Sequence, residues 1–181
     1  MENSDWIMSI SILALFFTIF SFWWMNWRKG KLNIYPPRTY AGIGSKDKTL
    51  VLIFPFVFFN NGPLPFVVRN LRIVFTDENL HIPMVFFSTI PELGKYGNQS
   101  LATPFPVKGR EAFSLICKFH RTPGNLVFEK RKYNLELQAI LDNSNVWKSM
   151  LHFQLNVSTA DAELLNKNYT ILDNLEGEIY K

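Results

Sequence analysis

Residues 6–27 contain no charged side chain, no glycine and no proline, and this constrains the chain more than any other feature. Wound as a helix rising about 1.5 Å per residue, these 22 residues span roughly 33 Å, the thickness of a bilayer's hydrocarbon core. Trp6 stands at one end and Trp23, Trp24 and Trp27 at the other, where amphipathic indoles settle at membrane interfaces. A cleaved signal peptide fits poorly. Its first segment is ordinarily basic, whereas Glu2 and Asp5 precede this run, and no small-residue cleavage site follows it. The expected organisation is a tail at 1–5, a transmembrane helix at 6–27, a β-domain at 28–158, and a C-terminal segment with a short helix at 159–181.

The flanking charges orient the helix. Arg28, Lys29 and Lys31 follow it directly, and no basic side chain precedes it. The positive-inside rule then places residues 28–181 in the cytoplasm and the short N-terminus outside, as in a single-pass protein of a bacterial inner membrane. Three Asn-X-Ser/Thr triplets, at Asn98, Asn156 and Asn168, would point the other way in a secretory protein. Such triplets arise by chance in an Asn-rich chain, so the basic flank carries more weight. Within the helix, Ser11, Ala14, Thr18 and Ser21 form one stripe of small residues, a candidate contact for another helix. Their hydroxyls can equally bond their own backbone and face lipid, and both readings stay open.

Beyond position 31 lie 150 residues, enough for one buried core. The whole chain is 48% apolar and 19% charged, which excludes a disordered chain, and 17 phenylalanines in short runs with Val and Ile favour strands. Strands are expected at 31–35, 49–59, 65–76, 82–88, 111–120, 132–141 and 146–157. Seven strands split by turn residues predict a mainly β chain, an antiparallel sandwich of the immunoglobulin type behind the N-terminal transmembrane helix.

Along the last two strands apolar and polar residues alternate, so one face is wet. The second strand is different. Both parities of "LVLIFPFVFF" are apolar, as they are in "IPMVFF" at 82–87, so these strands need cover on two faces. Val51, Ile53, Val57 and Phe59, with Val85 and Phe87, make a second apolar surface and a candidate partner site. The C-terminal segment is expected to cover it in part. Ser158 or Thr159 would cap its helix, and Leu164, Leu165, Tyr169, Ile171 and Leu172 would supply the cover. Pro55 implies an edge or a bulge, "NNGPLP" at 60–65 is a turn, and "NSN" at 143–145 is a tight hairpin. Arg69, among apolar neighbours, marks either a bulge that turns it outward or a paired buried charge.

"FxFFNNGPLPFVVRNLRIVF" followed by "PFPVKGREAFSLICKF" resembles a group of bacterial single-pass membrane proteins with one small β-sandwich. The resemblance covers residues 50–119, rests on turn and strand patterns, and implies a fold and a membrane anchor. It brings no catalytic residue with it.

Chemistry-bearing residues do not converge. His81, His120 and His152 are far apart in sequence, without a second cysteine or a close carboxylate cluster to complete a zinc site. "GIGSKDKT" at 42–49 lacks phosphate-loop spacing and leads into a strand. Cys117 falls on the inward parity of its strand and reads as core. "EKRKY" at 129–133 reads as a charged loop, without the interleaved aromatics or recognition helix of a nucleic-acid binder. Residues 28–148 hold 17 bases and eight acids, a balance that suits a solvated surface, anionic lipid or an acidic partner.

The expectation is therefore a non-catalytic interaction module with no metal, cofactor or small-molecule substrate. Trp6, Trp23, Trp24, Trp27, Arg28, Lys29 and Lys31 would meet the membrane interface. The expected partners are membrane lipid and a protein partner or second copy of the chain, and nucleic acid is not expected. Two alternatives are an inverted, periplasmic or extracellular adhesion or sensing domain, and an enzyme whose site the sequence does not display.

Overall fold

The computed structural model describes residues 2–44, 49–78, 80–94 and 99–174. In helix α1 (Glu2–Asn26) three polar side chains bond the helix's own backbone. Ser11 Oγ donates to the Ile7 carbonyl, Thr18 Oγ1 to Ala14 and Asn26 Nδ2 to Phe22, each at 2.8 Å. The stretch Trp6–Asn26 is long and apolar enough to cross a membrane, and none of its most apolar window is buried against the chain.

All seven expected strands form, with bounds shifted by a residue or two: β1 (Leu32–Tyr35), β3 (Leu50–Asn60), β4 (Phe66–Asp77), β5 (Leu80–Ile90), β8 (Ala112–Arg121), β9 (Arg131–Leu141) and β10 (Lys148–Val157). Four short strands join them: β2 (Thr39–Ile43), β6 (Ser100–Leu101), β7 (Phe105–Val107) and β11 (Thr170–Asp173). Helix α2 (Thr159–Lys167) precedes β11. The two separate sheets of an immunoglobulin-type sandwich are replaced by one antiparallel sheet, ordered β10-β9-β4-β5-β8-β3-β2-β11 among the described residues. Strand β1 adds to β3, β6 to β5 and β7 to β4.

This sheet curls into a half-barrel around its phenylalanines. Phe54 and Phe56 of β3 reach Phe153 of β10, with four strands between them along the sheet, at ring distances of 5.5 and 6.0 Å in edge-to-face contacts. Only a strongly coiled sheet brings those rings together. Phe54, Phe56, Phe58, Phe119 and Tyr133 are fully buried there, each stabilising the fold by about 1.5–3 kcal/mol through lost apolar exposure. Across the remaining gap Asn174 joins β10 to the chain between β1 and β2. Its Oδ1 accepts from Asn156 N–H, its Nδ2 donates to Gln154 O, and its own N–H donates to Arg38 O.

At one end of the half-barrel, α2 closes the interior. Ser158 caps it, in a reciprocal capping box with Asp161. Ala162 and Leu165 enter the main core, and Asn166 holds the Phe128 backbone by two hydrogen bonds of 2.8 and 2.9 Å. The C-terminal segment therefore divides its cover: Ala162, Leu165 and Leu172 pack on the main core, and Tyr169 packs over Ile53 on the outer face, a partial cover of the kind expected. Leu164 and Ile171 stay exposed, and β11 makes residues 170–173 part of the sheet.

Pro55 lies inside a central strand, with its register to β8 unbroken. On the other side of β3, β2 pairs with 51–53 and β1 with 57–60, so the proline sits where the ladder is interrupted. Arg69 lies at a register shift between Val68 and Asn70, which turns it outward to Ser144 O and Asn145 Oδ1. The bulge reading of Arg69 is the one the fold adopts. Residues 45–48 of "GIGSKDKT" and the triplet asparagine Asn98 lie outside the described residues.

Candidate functional site

Two places combine unusual chemistry with accessibility: the junction of α1 with the sheet, and the outer face of β3, β5 and β8.

The junction spans only the few residues between α1 and β1, and it is held at every step. Gly30 and Gly62 meet backbone to backbone, so closely that a Cβ on Gly62 would lie 2.3 Å from the Gly30 Cα. Lys31 N–H donates to Asn61 Oδ1 at 2.7 Å, and Asn61 N–H returns to Lys31 O at 3.3 Å. Arg28 lies over the Trp24 ring at 4.4 Å and donates to Asn61 O. From the other side, Arg110 Nη2 donates to the Met25 carbonyl at 2.6 Å, one of the unpaired acceptors at the end of α1.

Asn60 sits beneath this junction with no exposed surface. Its Oδ1 accepts from Gly62 N–H at 2.9 Å and its Nδ2 donates to Leu64 O at 2.7 Å, so its buried amide shapes the turn. Lys29 Nζ bonds Asp142 Oδ2 at 3.1 Å, while Asp142 Oδ1 accepts from Val67 N–H. Partial burial alone would raise the Asp142 carboxyl. The Val67 N–H, the Lys29 hydrogen bond and the charges on Lys29 and Lys148 outweigh it and hold the carboxyl below its usual range.

Of the residues expected at a membrane interface, Trp23, Trp24, Trp27, Arg28, Lys29 and Lys31 thus gather at this junction, and Trp6 lies at the far end of α1. Sequence reasoning missed Asn60, Gly62, Arg110 and Asp142. A signal for Asn60 was present: it continues the inward parity of Phe54, Phe56 and Phe58, where an amide is out of place.

The outer face does not form the single patch expected of Val51, Ile53, Val57, Phe59, Val85 and Phe87. Ile53 is 1% exposed, because Ala41, Ile90, Leu93, Ile116 and Tyr169 close a second small core over it. Ile53 is therefore internal, and the surface divides around it. Toward the α2 end, Val85 and Val51 flank His120 in one cross-strand row, and the Phe87 ring stacks on His120 at 4.2 Å. Burial, then the neighbouring Lys118, lowers the His120 pKa. Toward the junction, half-buried Val57 and Phe59 pair with Tyr35 and Asn33 of β1. Beside them a cavity of about 470 Å³ is lined by Pro55, Val57, Ile90, Ser114 and Ile116 among others.

The stripe residues Ser11, Ala14 and Thr18 are exposed, with both hydroxyls engaged by the helix backbone. Cys117 is fully buried, and burial pushes its thiol up, away from a nucleophilic thiolate. His152 Nε2 lies 3.0 Å from Ser149 Oγ and 4.0 Å from Glu136 Oε1. Both contacts use one ring nitrogen, whereas a Ser-His-carboxylate relay needs two. Among the described residues no group of three His, Cys, Asp or Glu side chains is placed to hold a metal ion.

No family model matches the chain, and no curated protein matches it. Two solved structures are similar at low level. One is the putative ApaA protein from Bordetella pertussis, with a TM-score of 0.37, 13% identity, and coverage of 71% of this chain and 95% of that one. The other is a protein from Archaeoglobus fulgidus, with a TM-score of 0.37, 9% identity, and coverage of 82% and 99%.

Proposed function

We propose that this chain is a membrane-anchored, non-catalytic interaction module, with α1 in the bacterial inner membrane and the half-barrel on its cytoplasmic side. The observation that carries the reading is the junction. A helix long and apolar enough to cross a membrane, with its most apolar window unburied, is joined to the domain by backbone contacts that leave no free linker. The partner surface in this reading is the exposed row of Val85 and Phe87 around His120, and the partner is a protein or a second copy of the chain.

A photo-crosslinker at Val85 should give a discrete adduct in intact cells, and one at buried Ile53 should give none. Equal labelling at both positions, or none at Val85, removes the partner surface. Resistance of the full chain to alkaline carbonate extraction tests the anchor separately.

The inverted topology is the second reading, and one observation favours it. Arg28 and Lys29 have partners within the domain, so their presence does not require an orienting role. A reporter fused after Lys181 decides between the two: the first reading requires activity in the cytoplasm, and a phosphatase that works only in the periplasm overturns it.

A further inference from the structure

We infer that the loops around the α1 junction form a docking face for a bilayer surface bearing anionic phospholipid headgroups, which lays this end of the half-barrel on the lipid. The inference rests on the reading of α1 as a membrane anchor.

Position comes first. Arg110 reaches the Met25 carbonyl at 2.6 Å, and Arg28 lies over Trp24, so the 108–111 turn and the 60–65 turn sit level with the last turn of α1. With α1 in a bilayer, the last turn and its tryptophans lie in the headgroup region. The same loops then touch that region without any movement of the domain.

Charge comes second. Around the junction stand Arg28, Lys29, Lys31, Lys108, Arg110 and Lys148, against Glu111 and Asp142. Both acids are engaged, Asp142 by Lys29 and Glu111 by Lys108 at 3.8 Å, so the six bases outnumber the two acids by four. The opposite end is balanced: Arg121, Lys130, Arg131, Lys132 and Lys167 face Asp77, Glu78, Glu129, Asp161 and Glu163 among the described residues. Among the described residues, the α1 end thus carries the greater positive excess of the two ends.

The third observation is apolar. Leu64 is 39% exposed and Val146 67% exposed on two separate junction loops. Leu64 lies between Pro63 and Pro65 and Val146 between Asn145 and Trp147, neither belongs to a buried core cluster, and each is placed to enter the interface beside the basic side chains. Bases that attract headgroups and apolar tips that insert between them are the two components of interfacial membrane binding.

The test uses the full chain in nanodiscs, with a Val146→Cys substitution carrying an environment-sensitive fluorophore, since the native Cys117 is fully buried. With phosphatidylglycerol nanodiscs carrying a nitroxide at the headgroup, the probe should be blue-shifted and quenched. In phosphatidylcholine it should be markedly less so. Lys31→Gln and Lys148→Gln, at exposed side chains outside the junction's hydrogen bonds, should each lower the docked-to-undocked ratio by about fivefold. An unchanged near-UV circular dichroism spectrum shows that both variants fold.

Equal probe response in the two lipids, or no effect of either substitution, overturns the inference while leaving the anchor intact. Quenching that appears only on adding a nitroxide-labelled oligonucleotide also overturns it, in favour of a nucleic-acid surface. Failure of the chain to enter nanodiscs at all is a failure of the anchor reading and is scored by its absence from the nanodisc fraction.

Discussion

The two ends of the half-barrel are closed by opposite kinds of interaction. At the α2 end, Ala162, Leu165, Leu126 and Phe128 fill the opening with apolar side chains. At the α1 end, glycine backbones, the buried Asn60 amide, Arg110 and the Lys29–Asp142 pair do the closing. Apolar burial is non-directional and tolerates small displacements. Hydrogen bonds fail when distance or angle changes, so the α1 end fixes an orientation as well as a contact. One end is built to exclude water, the other to hold a helix at a defined angle.

Substitutions at the two ends should therefore differ in what they damage. The largest loss of stability is expected from Leu165→Ala, which leaves a cavity in the plug and costs about 2–5 kcal/mol in denaturant titration. The α1 junction should keep its geometry in that variant, and a changed environment at Trp24 would break the contrast.

Gly62→Ala comes next, at about 1–3 kcal/mol, because the new methyl meets the Gly30 backbone and one strand of contact must move aside. Here the signature is positional. Distances from α1 to the sheet, measured between paired spin labels, should broaden more than the stability loss alone would produce. Ser158→Ala removes the α2 cap and should cost about 1 kcal/mol, with no change at the α1 end.

The smallest effect belongs to Asp142→Asn, below about 1 kcal/mol at neutral pH because the pair is partly exposed. It should still show in pH dependence. The folded carboxyl titrates below its unfolded value near 3.9, so its contribution is complete above that pH and is lost as pH falls through the folded value. The wild-type chain should lose stability across that acid window, and Asp142→Asn should flatten that part of the curve.

What the sequence displayed, and what it hid, follows the range of the interactions. The long strands were legible because β-branched and aromatic runs bounded by turns need no knowledge of partners. The α2 cap was legible for the same reason, since Ser158 and Asp161 are three residues apart. Strand β2, with Gly42 inside it and two prolines just before it, has no local strand signal and forms because β3 and β11 flank it.

The candidate partner surface shows the same division. Parity correctly put Ile53 on the outer face of β3. Whether that face is covered depends on Tyr169 and Leu93, which lie 116 and 40 residues further along the chain and pack over Ile53 only once the fold has formed. The junction was half visible: "NNGPLP" reads as a turn, but nothing local says that Gly62 will meet Gly30.

Asn174 has a consequence beyond joining two parts of the chain. Strand β10 is an outer strand of the sheet, and its unpaired N–H and C=O groups would be a template for a strand from another molecule. By accepting from Asn156 N–H and donating to Gln154 O, the Asn174 amide occupies two of those groups as a neighbouring peptide would. A single side chain thereby blocks two of the positions at which an edge-to-edge partner strand would pair.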